Sequence, residues 1–214
     1  MSKKLLSIVI ILTTPATLLA GENERGWFIR PYFGLSQVDD VSTQISAVNN
    51  TSGVTRIQPD DGFVSGVGIG YQYNAQLASE IAWEYRTNDI NTDFSGSRGG
   101  DYASNAFYLN GYYHLPTGQQ RWQPYVGGGL GWLQEIDLDL ETANGDVSLS
   151  DSGQVGYQLF AGVNYPMTGN WQLQAELRYA DFGEVDLDEE GGSGKASNLE
   201  YQPLTVQLGV KYRF

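Results

Sequence analysis

The stretch LTVQLGVKYRF, residues 204–214, alternates without a break. Leu204, Val206, Leu208, Val210, Tyr212 and Phe214 fall on one side of an extended chain, and Thr205, Gln207, Gly209, Lys211 and Arg213 on the other. Successive side chains of a β-strand point to opposite faces, so this stretch reads as a strand with one apolar face. The pattern does not say which face is wet. A soluble barrel turns its apolar face inward, and a barrel that crosses a membrane turns it to lipid.

Seven earlier stretches alternate in the same way, at about 26–37, 62–74, 77–88, 102–115, 122–135, 153–165 and 170–181. None keeps a helical period along its length. Tight links follow the second, fourth and sixth, at 74–76, 115–120 and 166–170. Long polar segments follow the first, third, fifth and seventh, at about 38–61, 89–101, 136–152 and 182–200. Short turns at one end, long loops at the other and an even strand count form the layout of a bacterial outer-membrane barrel, with the short turns toward the periplasm. The predicted fold is therefore all-β: an eight-stranded antiparallel up-and-down transmembrane β-barrel.

Three features choose the wet face. Aromatic residues of the apolar face sort by height. Trp27, Tyr71, Tyr73, Tyr113, Trp122, Tyr165, Trp171, Tyr212 and Phe214 sit near the short turns, and Phe33, Phe63, Trp83, Tyr85, Trp132, Tyr157 and Tyr179 near the long segments. Two girdles around an aliphatic band match the two lipid–water interfaces. The charged strand residues Arg30, Glu80, Glu84, Arg86, Glu176, Arg178, Lys211 and Arg213 all lie opposite that band. On the lipid face, Arg or Lys near the midplane would cost roughly 2–4 kcal/mol each. Finally, Gly66, Gly68, Gly70, Gly127, Gly129 and Gly131 share the charged face. They leave room for Arg30, Tyr32, Tyr108, Tyr125, Phe160 and Arg178 in a lumen just wide enough for side chains. Lys211 and Arg213 lie near Arg30, so they call for acids such as Glu80 or Glu176, or for water.

Residues 1–20 have a basic start (Lys3, Lys4), an apolar run from Leu5 to Leu12 and small or polar residues after it, the layout of a signal peptide. The expected organisation is a signal peptide at 1–20 and one outer-membrane barrel at 21–214, exported to the cell outer membrane. Removing the two lysines leaves a formal charge of 10 − 25 = −15, from the chain's 12 Lys and Arg and 25 Asp and Glu. So acidic a chain argues against nucleic-acid binding, which needs cations for the phosphates. The absence of cysteine rules out disulfides, thiolate metal sites and a lipid-modified N-terminal cysteine.

The stretches QPYVGGGLGW (123–132), LQAELRYADFG (173–183) and GVKYRF (209–214) resemble the OmpA-like eight-stranded outer-membrane barrels, often described as porin family proteins. The resemblance covers about 26–214. It implies lumenal ion pairs, with matching positions at Glu80, Glu84, Arg86, Glu176, Arg178 and Lys211. It also implies that Tyr212 and Phe214 form a terminal signal read by the barrel assembly machinery. Full-length OmpA proteins carry a further peptidoglycan-binding domain, and this chain is expected to end at the barrel.

No catalytic constellation, metal site or cofactor is expected. The one histidine, His114, sits beside a short turn, away from an outer-leaflet site. The acidic segments 135–141 and 184–192 read as loops for loose divalent-cation contact or for solvation. Asp186, Asp188, Glu190 and Gly191 resemble the start of a calcium loop, but Ser197 stands where that loop needs Glu. GGSGKASN, 191–198, reads as a flexible tip. The expected role is a monomeric barrel in contact with outer-membrane lipid and lipopolysaccharide, non-enzymatic and filled by polar side chains. A narrow passive channel for small solutes is the alternative.

Overall fold

The computed structural model describes residues 25–48, 51–92, 97–117, 121–142 and 146–214. The signal-peptide segment 1–20 and the end of the 115–120 link lie outside the described residues.

Among the described residues, thirteen antiparallel strands form one continuous sheet. Eight of them make the lower barrel: β1 (Gly26–Gln37), β4 (Gly62–Gln72), β5 (Leu77–Thr92), β6 (Ser97–His114), β7 (Gln123–Thr142), β9 (Gln154–Pro166), β10 (Trp171–Asp181) and β13 (Leu204–Arg213). They pair in chain order, and β13 returns to β1 to close the ring. The eight alternating stretches of the sequence are these eight strands.

Each strand of this ring puts a large aliphatic side chain on the outside, in the order Leu35, Ile69, Ile81, Leu109, Leu130, Leu159, Leu177 and Val206, each more than half exposed. So wide an apolar belt has no place on a soluble surface. It belongs against lipid, between the tryptophan and tyrosine girdles. Trp171 packs on Tyr212, Trp122 on Tyr165 and Trp27 on Tyr71 at the short-turn end. The turn at 74–76 is held by the Asn74 carboxamide, which accepts from the backbone N–H of Gln76 and of Leu77.

The four long polar segments are not loops. They carry β2 (Val41–Val48), β3 (Thr51–Pro59), β8 (Val147–Asp151), β11 (Glu184–Glu189) and β12 (Lys195–Glu200), and they extend β5, β6 and β7. These pieces close a second ring, β5–β6–β7–β8–β11–β12–β2–β3 and back to β5. The rings stack and share three strands. The segment 191–198, read as a flexible tip, holds a turn and then the start of β12, with Gly191 and Asn198 at positive φ.

The upper ring inverts the lower one. Its interior is apolar: Ile45, Ile57, Ile136, Leu138, Leu140, Leu149, Val185, Leu187 and Leu199 form one buried cluster with Tyr102, Tyr201 and Phe182. The acids of EIDLDLE and EVDLDE point outward while Ile136, Leu138, Leu140, Val185 and Leu187 point in. A region with apolar inside and acid outside is built for water, as expected of a part standing outside the membrane.

The seam between β1 and β13 has one gap. Pairing lapses at Arg30 opposite Lys211 and at Pro31 opposite Val210, with the same register on either side. Proline has no N–H to give the ladder, so the cross-strand bond at that position cannot form.

Candidate functional site

The lumen of the lower ring is the site the sequence pointed to. Inward positions of adjacent strands bring Arg30, Glu80, Glu84, Arg86, Glu176 and Arg178 into one buried network. Arg30 is bidentate on Glu80, Nε to Oε2 at 2.8 Å and Nη2 to Oε1 at 2.7 Å. Its remaining Nη1 donates to Gln174. Glu80 is completed by the Tyr112 hydroxyl at 2.8 Å and by Asn110.

A second group lies above. Arg178 donates to Glu176 through Nε and Nη2 and reaches Glu84 through Nη1 at 3.1 Å. Glu84 accepts from Arg86 at 2.6 Å and from the Tyr32 hydroxyl. Glu176 accepts from Tyr125 and Gln207. Arg86 Nη1 donates to Ser36 and Thr205. Both Arg30, 4.4 Å from the Tyr32 ring centroid, and Arg178, 5.5 Å away, lie over that ring, so one aromatic side chain serves two guanidinium groups. Three arginines meet three glutamates, and the network is neutral in itself.

The glycines make this possible. A methyl added at Gly68 would collide with the Glu80 carboxylate, and one at Gly127 with the Phe160 ring. Gly66 and Gly70 give way likewise to Tyr32 and Phe28, and Gly129 to Asn110.

Lys211 and Arg213 stand apart. Lys211 is 3% exposed, but its Nζ donates to Gln72 Oε1 at 3.2 Å and lies 3.9 Å from the Phe28 ring. Neither Glu80 nor Glu176 pairs with it; those acids are taken by arginine. Arg213 lines the periplasmic mouth and is half-buried. Phe28, Ala78, Tyr112, Tyr125 and Phe160 form a buried collar at the edge of the ion network, with the Tyr112 and Tyr125 hydroxyls donating into it. Tyr212 and Phe214 are in edge contact, and the Phe214 N–H donates to Trp27 O, so the last residue is tied to the first strand.

His114 is buried at the short-turn end, stacked near Tyr112, with Nδ1 3.2 Å from the Gln76 carbonyl. The calcium-loop acids are used by the protein: Asp186 accepts from the Asn198 N–H, Asp188 pairs with Lys195 and Glu190 accepts from Ser150. Among the described residues no three acids or histidines form a group that could hold a metal ion. The sequence reading missed the upper ring's interior, although the apolar residues between the acids carried a strand's period.

An exposed apolar belt around the ring, aromatic girdles and a charged lumen define an integral β-barrel protein of the outer membrane of Gram-negative bacteria. The chain belongs to the family described as outer membrane protein beta-barrel domain, which matches residues 6–214. It is 28% identical over 170 residues to the 31 kDa outer-membrane immunogenic protein of Brucella melitensis, covering 72% of this chain and 67% of that one. It is 24% identical over 105 residues to outer membrane protein W of Vibrio cholerae, about half of each chain (48%). Among solved structures, the outer membrane protein OprG of Pseudomonas aeruginosa superposes with a TM-score of 0.68 at 18% identity, over 88% of this chain and 96% of that one. Neisserial surface protein A gives 0.55 at 17%, over 88% and 97%.

Proposed function

We propose that this barrel is a closed structural and interaction protein of the outer membrane, with no catalytic role. The observation that carries the reading is the filled interior: the neutral arginine–glutamate network across the lumen, capped by the apolar core of the upper ring. A cleft in the upper ring among the start of β2, the end of β3 and the end of β12, lined by Val38, Tyr102 and Leu199, measures only ≈10 Å³. That is room for about one water. His114 hydrogen-bonds a backbone carbonyl at the periplasmic end, which suits a structural residue better than a general base.

The acidic outer wall of the upper ring is the surface offered to partners, with divalent cations needed to bridge it to the phosphates of lipopolysaccharide. The lower belt is offered to lipid. Tyr212 and Phe214 present an aromatic end to the periplasmic side, which supports their reading as an assembly signal; insertion rates of a chain lacking Phe214 test it, with unchanged rates counting against the signal. Planar-bilayer recording tests the closed barrel against the channel alternative. Purified protein is expected to give no steady single-channel conductance. Reproducible ohmic openings would favour the channel.

A further inference from the structure

We propose that the periplasmic mouth of the barrel binds a small oxyanion, a carboxylate or phosphate group, through Arg213 and the amides of Gln123 and Gln172, with the Lys211 charge behind the Gln72 wall. The mouth holds a polar cavity of ≈140 Å³ lined by Gln72, Ala75, Gln123, Gln172 and Arg213. One water needs ~10–15 Å³, so the cavity takes a carboxylate or phosphate together with several waters. No acid lines it.

Charge balance points the same way. The three lumenal glutamates are satisfied by Arg30, Arg86 and Arg178. Lys211 is a fourth buried cation, and among the described residues no carboxylate lies within ion-pair distance of it. Burying a charge without a counter-charge is costly, and an ammonium has three donors of which Gln72 takes one. Lys211 stands directly across the β10–β13 ladder from Gln172 and holds the Gln72 carboxamide by its oxygen. It therefore backs two walls of the cavity. Gln72 Nε2 donates to Asn74 O and Leu77 O, which fixes that amide in place.

Arg213 completes the set. Its side chain is half-buried at the mouth and, among the described residues, makes no ion pair with an acid, while its backbone N–H is held by Asn170 O. A planar guanidinium presents a fork that fits a carboxylate or a phosphate. Asn164, directly across from Gln123 in the β7–β9 ladder, is fully buried and its Nδ2 donates to no described group, a further donor behind the same wall. The cavity opens at the short-turn end, since Ala75 belongs to the β4–β5 turn, so the ligand comes from the periplasmic side. This site is separate from the filled lumen above the aromatic collar and survives or fails independently of the closed-barrel reading.

The test uses the full chain folded in maltoside micelles, with isotope labelling of the glutamine side-chain amides. Succinate and inorganic phosphate are titrated in separate NMR experiments. Saturable shifts of the Gln72, Gln123 and Gln172 amides are expected at millimolar ligand, and the ion that saturates first identifies the source chemistry. Arg213→Gln, at the half-exposed mouth, keeps the fold testable and is expected to weaken binding at least ~10-fold, the loss of one charge-assisted contact. Lys211→Met is expected to weaken it further where it folds. No saturable shift with either ion, or shifts unchanged in Arg213→Gln, would overturn the proposal.

Discussion

Arg178 is the residue on which the lumen turns. It joins Glu176 to Glu84, and Glu84 in turn holds Arg86, so one guanidinium links two acids and, through them, the upper part of the network. The tertiary arrangement makes it expensive to lose. Arg178→Ala leaves Glu176 buried with only neutral donors, and breaking a buried pair from one side costs roughly 3–5 kcal/mol. A drop of that size in unfolding free energy is expected from urea titration of the folded protein in vesicles. An unchanged midpoint would mean that the pair is hydrated or absent. The inward placement of Arg178 and its neighbours was legible from alternation alone, because period two fixes a face. The partner choice was not. Glu80 sits within reach of both Arg30 and Lys211 by strand order, and only the positions of Tyr112, Asn110 and Gln174 in three dimensions give it to Arg30.

At the scale of the strand, the legible and illegible parts divide where the alternation changes phase. In β7, Tyr125 and Leu133 point inward on odd positions; Gln134 is an extra residue opposite the Asn105–Ala106 step, and beyond it Ile136, Leu138 and Leu140 point inward on even positions. Gly183, at φ 72°, marks the corresponding change between Phe182 and Val185, and Gly153, at φ 88°, the one between Leu149 and Gln158. A reading in steps of two stops at each of these points, so the upper strands looked like loops, and their acids drew more notice than the apolar residues between them. Those acids have a cost. Asp89, Asp101 and Asp139 face one another across β5, β6 and β7, and like charges directly opposite are unfavourable. On the same wall, partial burial pushes the Asp137 carboxyl up to about 6, helped by Glu135 and Asp139. Its folded pKa lies above the ~3.9 of an unfolded Asp, so the folded state holds the proton more tightly. Stability from this group is then present below pH ~4 and lost as pH rises to about 6. Asp137→Asn is expected to stabilise the upper ring at pH 7 by less than ~1 kcal/mol, solvent screening included, and to flatten that pH window. Hydrogen exchange of the β7–β8 amides at pH 5 and pH 7 reads both; no difference between variant and parent would contradict the assignment.

Across the whole molecule, one chain builds two rings of opposite polarity on three shared strands. The lower ring has lipid outside and charge inside, and the upper ring has acid outside and hydrocarbon inside. Among the described residues the arginine–glutamate network occupies the interior of one and the Ile–Leu–Val core that of the other. The central claim is that this interior is solid from the aromatic collar to the top of the second ring. The chain has no cysteine, so single cysteines report access without background. The most direct measurement is the labelling rate of Ala82→Cys in the lumen against Asp139→Cys on the outer wall, by a small water-soluble maleimide on the folded protein; Ala82 is 1% exposed and Asp139 lies open to solvent. The account requires Asp139→Cys to react as fast as a free thiol and Ala82→Cys to react only on unfolding. Comparable rates at the two positions would show a water-filled lumen and contradict it.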